Sequence, residues 1–278
     1  MGQMLKQEKI PNRRKYNTIS AGSTTETTSL RRATDILNCL GNDINTVTDI
    51  AAYLGYSTST VHRLLQNMSK LEWATQDVNN HKYYLGPMVT QLASNQIAAH
   101  KYLIMHALRE MTHLSTITQE TISLAIMVQL RYVLLHEISS TYTLKITEES
   151  KILSPVYSGA TSKALLAQLD DKELKATLKH VRFDRAADNP TIDKNILSAQ
   201  LQEIRRQGYC VTSGERISGG LCISAPIKNY IYPATLNILG PEERLKPKVD
   251  QFIKELQASA DRISEDIEGA FNNKGGDE

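Results

Sequence analysis

Two short apolar helical patterns separated by one glycine, with a helix-capping serine two residues later, limit this chain's fold more than any other feature. Ile50, Ala51 and Leu54 form the first pattern and Gly55 ends it, supplying the positive backbone dihedral of a sharp turn. Ser57 then offers an N-cap oxygen to a helix in which Val61, Leu64, Leu65 and Met68 fall at i, i+3, i+4 and i+7. Upstream, Leu30, Ala33, Ile36, Leu37 and Leu40 predict another helix, closed by Gly41 and Asn42. Downstream, 71–75 and 81–85 read as two strands around Asn79 and Asn80, which tolerate left-handed turn geometry. Three helices and a hairpin over 27–86 make a winged helix-turn-helix. At about 100° per residue, the face of the third helix opposite its apolar stripe carries Ser59, His62, Arg63 and Gln66, all able to form hydrogen bonds.

A chain of 278 residues favours two domains, and the pattern changes after Gly86 and Pro87. Val89, Leu92, Ala93 and Ile97 predict a helix, and Ile104, Ala107, Leu108, Met111 and Leu114 another, so 87–115 reads as linker helices. Strands are predicted over 122–128, 132–138 and 144–147, then helices over 161–169, 170–180 and 195–207. Further strands over 209–212, 221–227 and 234–239 precede one long helix over 242–271. This order predicts an α+β domain on an antiparallel sheet over 116–278, hence an α+β multidomain protein.

Hydrophobic residues make up 41% of the chain and charged residues 22%, enough apolar material for true cores. No apolar run approaches the roughly 18 residues of a membrane helix, so no membrane partner is expected. Cys39, Cys210 and Cys222 are an odd number without CxxC spacing, so neither a disulfide framework nor a zinc finger is indicated and a reducing cytoplasm fits best. The formal charge of +2 is unevenly spread: residues 1–26 carry +3, residues 27–86 carry zero and residues 87–278 carry −1. Lys6, Lys9, Arg13, Arg14 and Lys15, followed by a Ser/Thr/Gly stretch with nothing to bury, read as a disordered basic arm over 1–26; a solvated leader without a role reads equally well.

The run from Thr48 to Leu65, continued through the wing to Tyr84-Leu-Gly-Pro87, resembles the DNA-binding domain of the IclR family of bacterial transcription regulators. Pro155 to Ala167, Ile204 to Tyr209, Glu215, Cys222 to Pro226 and Gly240-Pro241 resemble that family's effector domain. The resemblance implies a linker helix joining the winged helix to a GAF-like effector-binding domain, and a transcriptional regulator rather than an enzyme. Its expected partners are a double-stranded, pseudo-palindromic DNA operator, a small-molecule effector, and further copies of the chain as homodimer or homotetramer. RNA polymerase as a partner is left open. Carried over by position, the implied effector-binding residues are Ile146, Ser154, Ala160, Thr161, Thr212, Cys222 and Asn237. The chain departs from the family pattern at Tyr157 and Ser162, in the short 228–233 connection, and at Thr212, where an acidic residue is usual.

On the recognition helix, Arg63 is the base-reading candidate, because arginine donates two hydrogen bonds to guanine O6 and N7. His62 and Gln66 are further candidates, while Ser57, Thr58, Ser59 and Thr60 at the helix start suit phosphate. Lys82 in the wing and Arg31 and Arg32 on the first helix are candidate phosphate contacts. Each also reads as an ordinary solvated surface residue.

Hydroxyl and amide groups of the effector positions, with N–H groups at a helix start, are expected to hold a small organic or aromatic acid. Ser154 and Cys222 serve equally as small core residues. No nucleophile elbow or phosphate loop is present, and His100, His106 and His113 are six and seven apart, the wrong spacing for metal ligands on one helix. No cofactor is expected. A ligand-independent DNA-binding or scaffolding protein stays open as an alternative, with a hydrolase more remote.

Overall fold

The computed structural model describes residues 28–128, 131–148, 157–180 and 194–272. Helix α1 (Thr28–Gly41), α2 (Val47–Leu54) and α3 (Thr58–Lys70) close around Ile36, Cys39, Ile50, Val61 and Leu65, all buried. Leu30, predicted in the apolar stripe of α1, is instead 73% exposed. Gly55 ends α2 at φ 70°, and its N–H bonds the carbonyl of Ala51, as the sequence requires of that turn. Ser57 caps α3, its Oγ accepting from the Thr60 amide at 3.2 Å.

The wing strands β1 (Ala74–Gln76) and β2 (Tyr83–Leu85) are shorter than predicted. Asp77 organises the turn between them, accepting from the Asn79 amide and Asn80 Nδ2, both at 2.8 Å. The left-handed residue there is His81, at φ 57°, rather than either asparagine. Helices α4 (Pro87–Ser94) and α5 (Gln96–Ala99) follow, and α4 buries none of its side chains. Contacts divide the chain into two compact units, with the break between Ala99 and His100.

The second unit begins with α6 (Lys101–Thr118), which buries Leu103, Ala107, Met111 and Leu114. Leu108, predicted in that stripe, is 44% exposed; the buried face is rotated towards Leu103 and Glu110. Five strands, β3 (Thr121–Val128), β4 (Arg131–Ile138), β5 (Cys210–Ser213), β6 (Gly220–Ile227) and β7 (Ala234–Pro241), form one antiparallel sheet in the order β4-β3-β7-β6-β5. Its central strands β3 and β7 are buried along both faces.

One face packs against α6 and the C-terminal helix. The other packs against α7 (Ala160–Leu166), α8 (Asp171–His180) and α9 (Lys194–Gln207) through Leu165, Leu166, Leu174, Leu197 and Leu201.

Two predictions fail here. Residues 144–147 are not a strand; they run as a loop, held where Arg244 Nη2 donates to the Leu144 carbonyl at 2.9 Å. The long final helix is interrupted: α10 (Glu242–Leu245) passes through a 3₁₀ turn at Lys246–Lys248 before α11 (Val249–Asn272). Pro247 lies in that turn, and its missing N–H is the local reason.

Candidate functional site

In the first unit, Ser59, His62, Arg63 and Gln66 lie exposed on α3, opposite buried Val61, Leu65 and Met68. Among the described residues Arg63 makes no ion pair, so its guanidinium stands ready for a partner outside the chain. Ser57 and Thr58 are exposed, while Thr60 is half-buried with its hydroxyl 2.8 Å from Ser57 Oγ. The Thr60 amide is thus already capped and is not one of the open N–H groups expected at this helix start. Lys82 is exposed on the wing, its backbone N–H donating to Asn80 Oδ1 at 2.8 Å. Arg31 is exposed, whereas half-buried Arg32 stacks its guanidinium 5.5 Å from the centre of the Tyr56 ring. The Tyr56 hydroxyl donates to Asp35 at 2.7 Å, tying α1 to the start of α3.

In the second unit a cavity opens between the loop before residue 149, the start of α7, the 214–219 turn and the sheet. It leaves ≈ 50 Å³ to the centres of water-sized spheres, room for a few water molecules or a handful of heavy atoms. Ile146, Ile217, Leu221 and Leu239 supply apolar walls; Glu148, Thr161, Thr212 and Arg216 supply polar groups.

Thr161 Oγ1 donates to Glu148 Oε1 at 3.4 Å and lies 3.6 Å from Cys222 Sγ. Arg216 Nη1 stands 4.0 Å from the same carboxylate, and the Arg216 chain crosses the space a Cβ would fill at Gly159, at φ 83°. Burial pushes the Glu148 carboxyl up to about 7, against the opposing pull of Arg216. Burial likewise pushes the Cys222 thiol up to about 12, so it stays protonated and is no nucleophile near neutral pH.

The α7 start is fixed from below. The Ala160 amide donates to Thr212 Oγ1 at 3.0 Å and the Gly159 amide to Glu215 Oε2 at 3.0 Å. Buried Lys163 completes the brace, its Nζ 2.6 Å from Glu215 Oε1. Two of the N–H groups expected to greet a ligand at this helix start are therefore already spent on the protein.

Two family models match the chain. One, described as the IclR helix-turn-helix domain, covers residues 29–78, and the other, the bacterial transcriptional regulator IclR C-terminal, covers residues 96–265. The chain belongs to the IclR family. It is an IclR-type DNA-binding transcriptional regulator with an effector-binding domain, and not an enzyme.

Among relatives of this IclR-family chain, the HTH-type transcriptional regulator KdgR of Escherichia coli is 30% identical over 240 residues, covering 85% of this chain and 91% of that one. The HTH-type transcriptional repressor AllR of the same organism is 25% identical over 232 residues, covering 83% and 84%. The solved Thermotoga maritima IclR has the same fold, with TM-score 0.56 and 23% identity over 87% of this chain and 99% of that one. So does an IclR homolog from Microbacterium hydrocarbonoxydans complexed with 4-hydroxybenzoate, with TM-score 0.54 and 21% identity over 87% and 99%.

Of the effector positions implied by resemblance, Ile146, Ala160, Thr161, Thr212 and Cys222 line the cavity. Ser154 lies outside the described residues. Asn237 is fully buried in β7 and is not part of the lining. Its amide is consumed across the sheet, donating to Ser123 Oγ at 3.1 Å and accepting from Ser224 Oγ at 2.6 Å.

Glu148 and Arg216 went unseen at the sequence level. Glu148 sits in Ile-Thr-Glu-Glu-Ser, which reads as a solvated loop, and only the folded loop turns it inward. The three histidines of α6 and its cap are separate: His100 pairs with Tyr230 at 2.6 Å, His106 stacks on Tyr102, and His113 faces Glu255. Among the described residues no cluster of metal-ligating side chains occurs, and no helix is long and apolar enough to cross a membrane.

Proposed function

We propose that this regulator binds a pseudo-palindromic operator as a dimer or dimer of dimers, and that a small organic acid taken into the second unit's cavity alters that binding. The observation carrying the effector half is the convergence of Glu148, Thr161 and Arg216 on one small cavity that Ile146, Ile217, Leu221 and Leu239 wall with apolar surface, the usual composition of a small-molecule site. That a homolog of the same fold was solved with 4-hydroxybenzoate supports an acid as the ligand class.

In the operator half, Arg63, His62 and Gln66 read base edges, while Ser57, Thr58, Ser59, Thr60, Lys82, Arg31 and Arg32 hold the phosphates. Pairing of two chains is supported by α4, which has no fully buried residue, and by Leu92 at 56% and Ile97 at 59% exposure. The basic arm of residues 1–26 lies outside the described residues and adds charge for phosphate.

The test is a thermal-shift screen of the full chain against short organic acids, followed by selection of operator DNA with and without each acid that binds. A ligand at a hundred times its Kd stabilises the fold by about 2.7 kcal/mol, well within reach of such a screen. The expected result is an acid that raises Tm and changes operator affinity. A broad metabolite screen without any shift replaces this reading with a ligand-independent regulator.

A further inference from the structure

Among the described residues, Glu148 is a buried carboxyl with an oxygen, Oε2, that has no hydrogen-bond partner, and it lines the cavity. Its side chain is only 3% exposed. A buried polar atom left unpaired costs roughly 1–3 kcal/mol, more if charged, so an orphan oxygen at the wall of a cavity is a site waiting for a partner.

Every neighbour bears on what that partner is. Arg216 Nη1 approaches Oε1 at 4.0 Å and is the cation of the cavity wall. Glu215 is committed to Lys163 and to the Gly159 amide. Glu137 on β4 is turned to the backbone, accepting the Glu148 amide at 2.8 Å. Cys222 on β6 stays a neutral thiol, and Thr161 on α7 and Ser123 on β3 offer only hydroxyls to the carboxylate. With Lys163 and Glu215 paired to each other, the remaining charged or titratable lining groups among the described residues are Arg216 and Glu148.

We propose that Glu148 contacts the ligand as a neutral carboxylic acid, its Oε2–H donating to an oxygen of a small monoanionic carboxylic acid whose charge Arg216 balances. This rests on the reading of the cavity as the effector site. An anion entering so dry a space would be repelled by an ionised Glu148 and could not satisfy an acceptor-only oxygen. Protonation removes the repulsion and turns Oε2 into a donor. Burial has already brought the carboxyl up to about 7, so near neutral pH the proton is taken up at small cost. Ligand and proton therefore bind together.

The experiment is isothermal titration of the full chain at pH 6, 7 and 8, in buffers of differing ionisation enthalpy. The probes are two- to six-carbon monocarboxylic acids, with amides and amines of matching size as controls. At least one acid is expected to bind with uptake of up to one proton, its Kd rising about fivefold between pH 7 and pH 8. Glu148→Gln, whose amide copies the donor of the neutral acid, should bind with a Kd within about threefold of the wild-type value at pH 6 and lose the pH dependence. Glu148→Leu should weaken binding at least tenfold while melting as a folded protein.

Zero proton uptake, a Glu148→Gln variant as weak as Glu148→Leu, or binding of the amides and amines in place of acids each overturns the proposal and leaves the effector reading intact. Failure of every probe, acids and controls alike, overturns the proposal; only an empty broad metabolite screen removes the effector reading with it.

Discussion

Arg63 and Glu148 represent opposite electrostatic situations, one solvated and unpaired, the other nearly dry. Replacing Arg63 by alanine removes an exposed side chain, so the fold should hold, and should weaken operator binding by roughly 1–3 kcal/mol. Selection of binding sites from random DNA should show relaxed preference at one base pair of each half-site; unaltered preference would show that Arg63 reads no base. For Glu148 the prediction concerns stability. Its carboxyl is raised in the folded state from the ordinary 4.5 to about 7, so folding favours the protonated acid. The penalty is absent below pH 4.5, grows as pH rises towards 7 and is constant above it. Glu148→Gln, which carries no charge at any pH, should therefore match the wild type at pH 4.5 and exceed it by roughly 2–3 kcal/mol at pH 8. Equal urea-unfolding midpoints at the two pH values would contradict this. Such a residue is illegible in one dimension: the sequence places Thr161 and Cys222 by their motif surroundings, whereas Glu148 and Arg216 acquire meaning only once the 144–147 loop and the 214–219 turn have folded over α7.

At the level of elements, legibility follows the range of the forces. Helices α2 and α3 are specified by local signals, Gly55 at a left-handed turn and Ser57 at an N-cap, and their observed ends agree with those signals. Residues 144–147 contain strand-favouring Leu144, Ile146 and Thr147, yet a side chain a hundred residues away decides their conformation. That side chain is Arg244 of α10, which donates to both oxygens of buried Glu120 next to β3, covers the Tyr142 ring at 4.4 Å, and holds the Leu144 carbonyl. Sequence periodicity carries no trace of such a clamp. Removing one partner of a buried pair leaves an uncompensated charge, so Arg244→Ala should destabilise the second unit by roughly 3 kcal/mol. Chemical denaturation measures it. Because the clamp also sets the loop over the cavity, the variant should lose ligand-induced stabilisation beyond its loss in intrinsic stability. A ligand shift of the wild-type size would separate the clamp from the cavity.

For the whole molecule, the difficulty is charge. The winged-helix region, residues 27–86, is electrically neutral, while DNA affinity at physiological salt comes largely from counterions released as cations meet phosphates. A neutral reader therefore needs help from duplication and from cations elsewhere in the chain. Duplication doubles every contact, and α4 and α5, with exposed Leu92 and Ile97, are where a second copy would gain apolar burial. The excess positive charge of the chain lies in its N-terminal arm, at Lys6, Lys9, Arg13, Arg14 and Lys15. Each phosphate they neutralise steepens the fall of log K with log salt by about 0.9. Deleting residues 1–16 should accordingly lower the slope by up to about 4.5 per chain, weaken specific and non-specific binding alike, and leave base preference unchanged. Fluorescence anisotropy on operator and scrambled DNA between 50 and 300 mM salt, about the range over which such slopes are read, distinguishes the outcomes. Parallel salt slopes for the full and truncated chains would mean that the arm stays in solvent and that the neutral winged helices must rely on pairing alone.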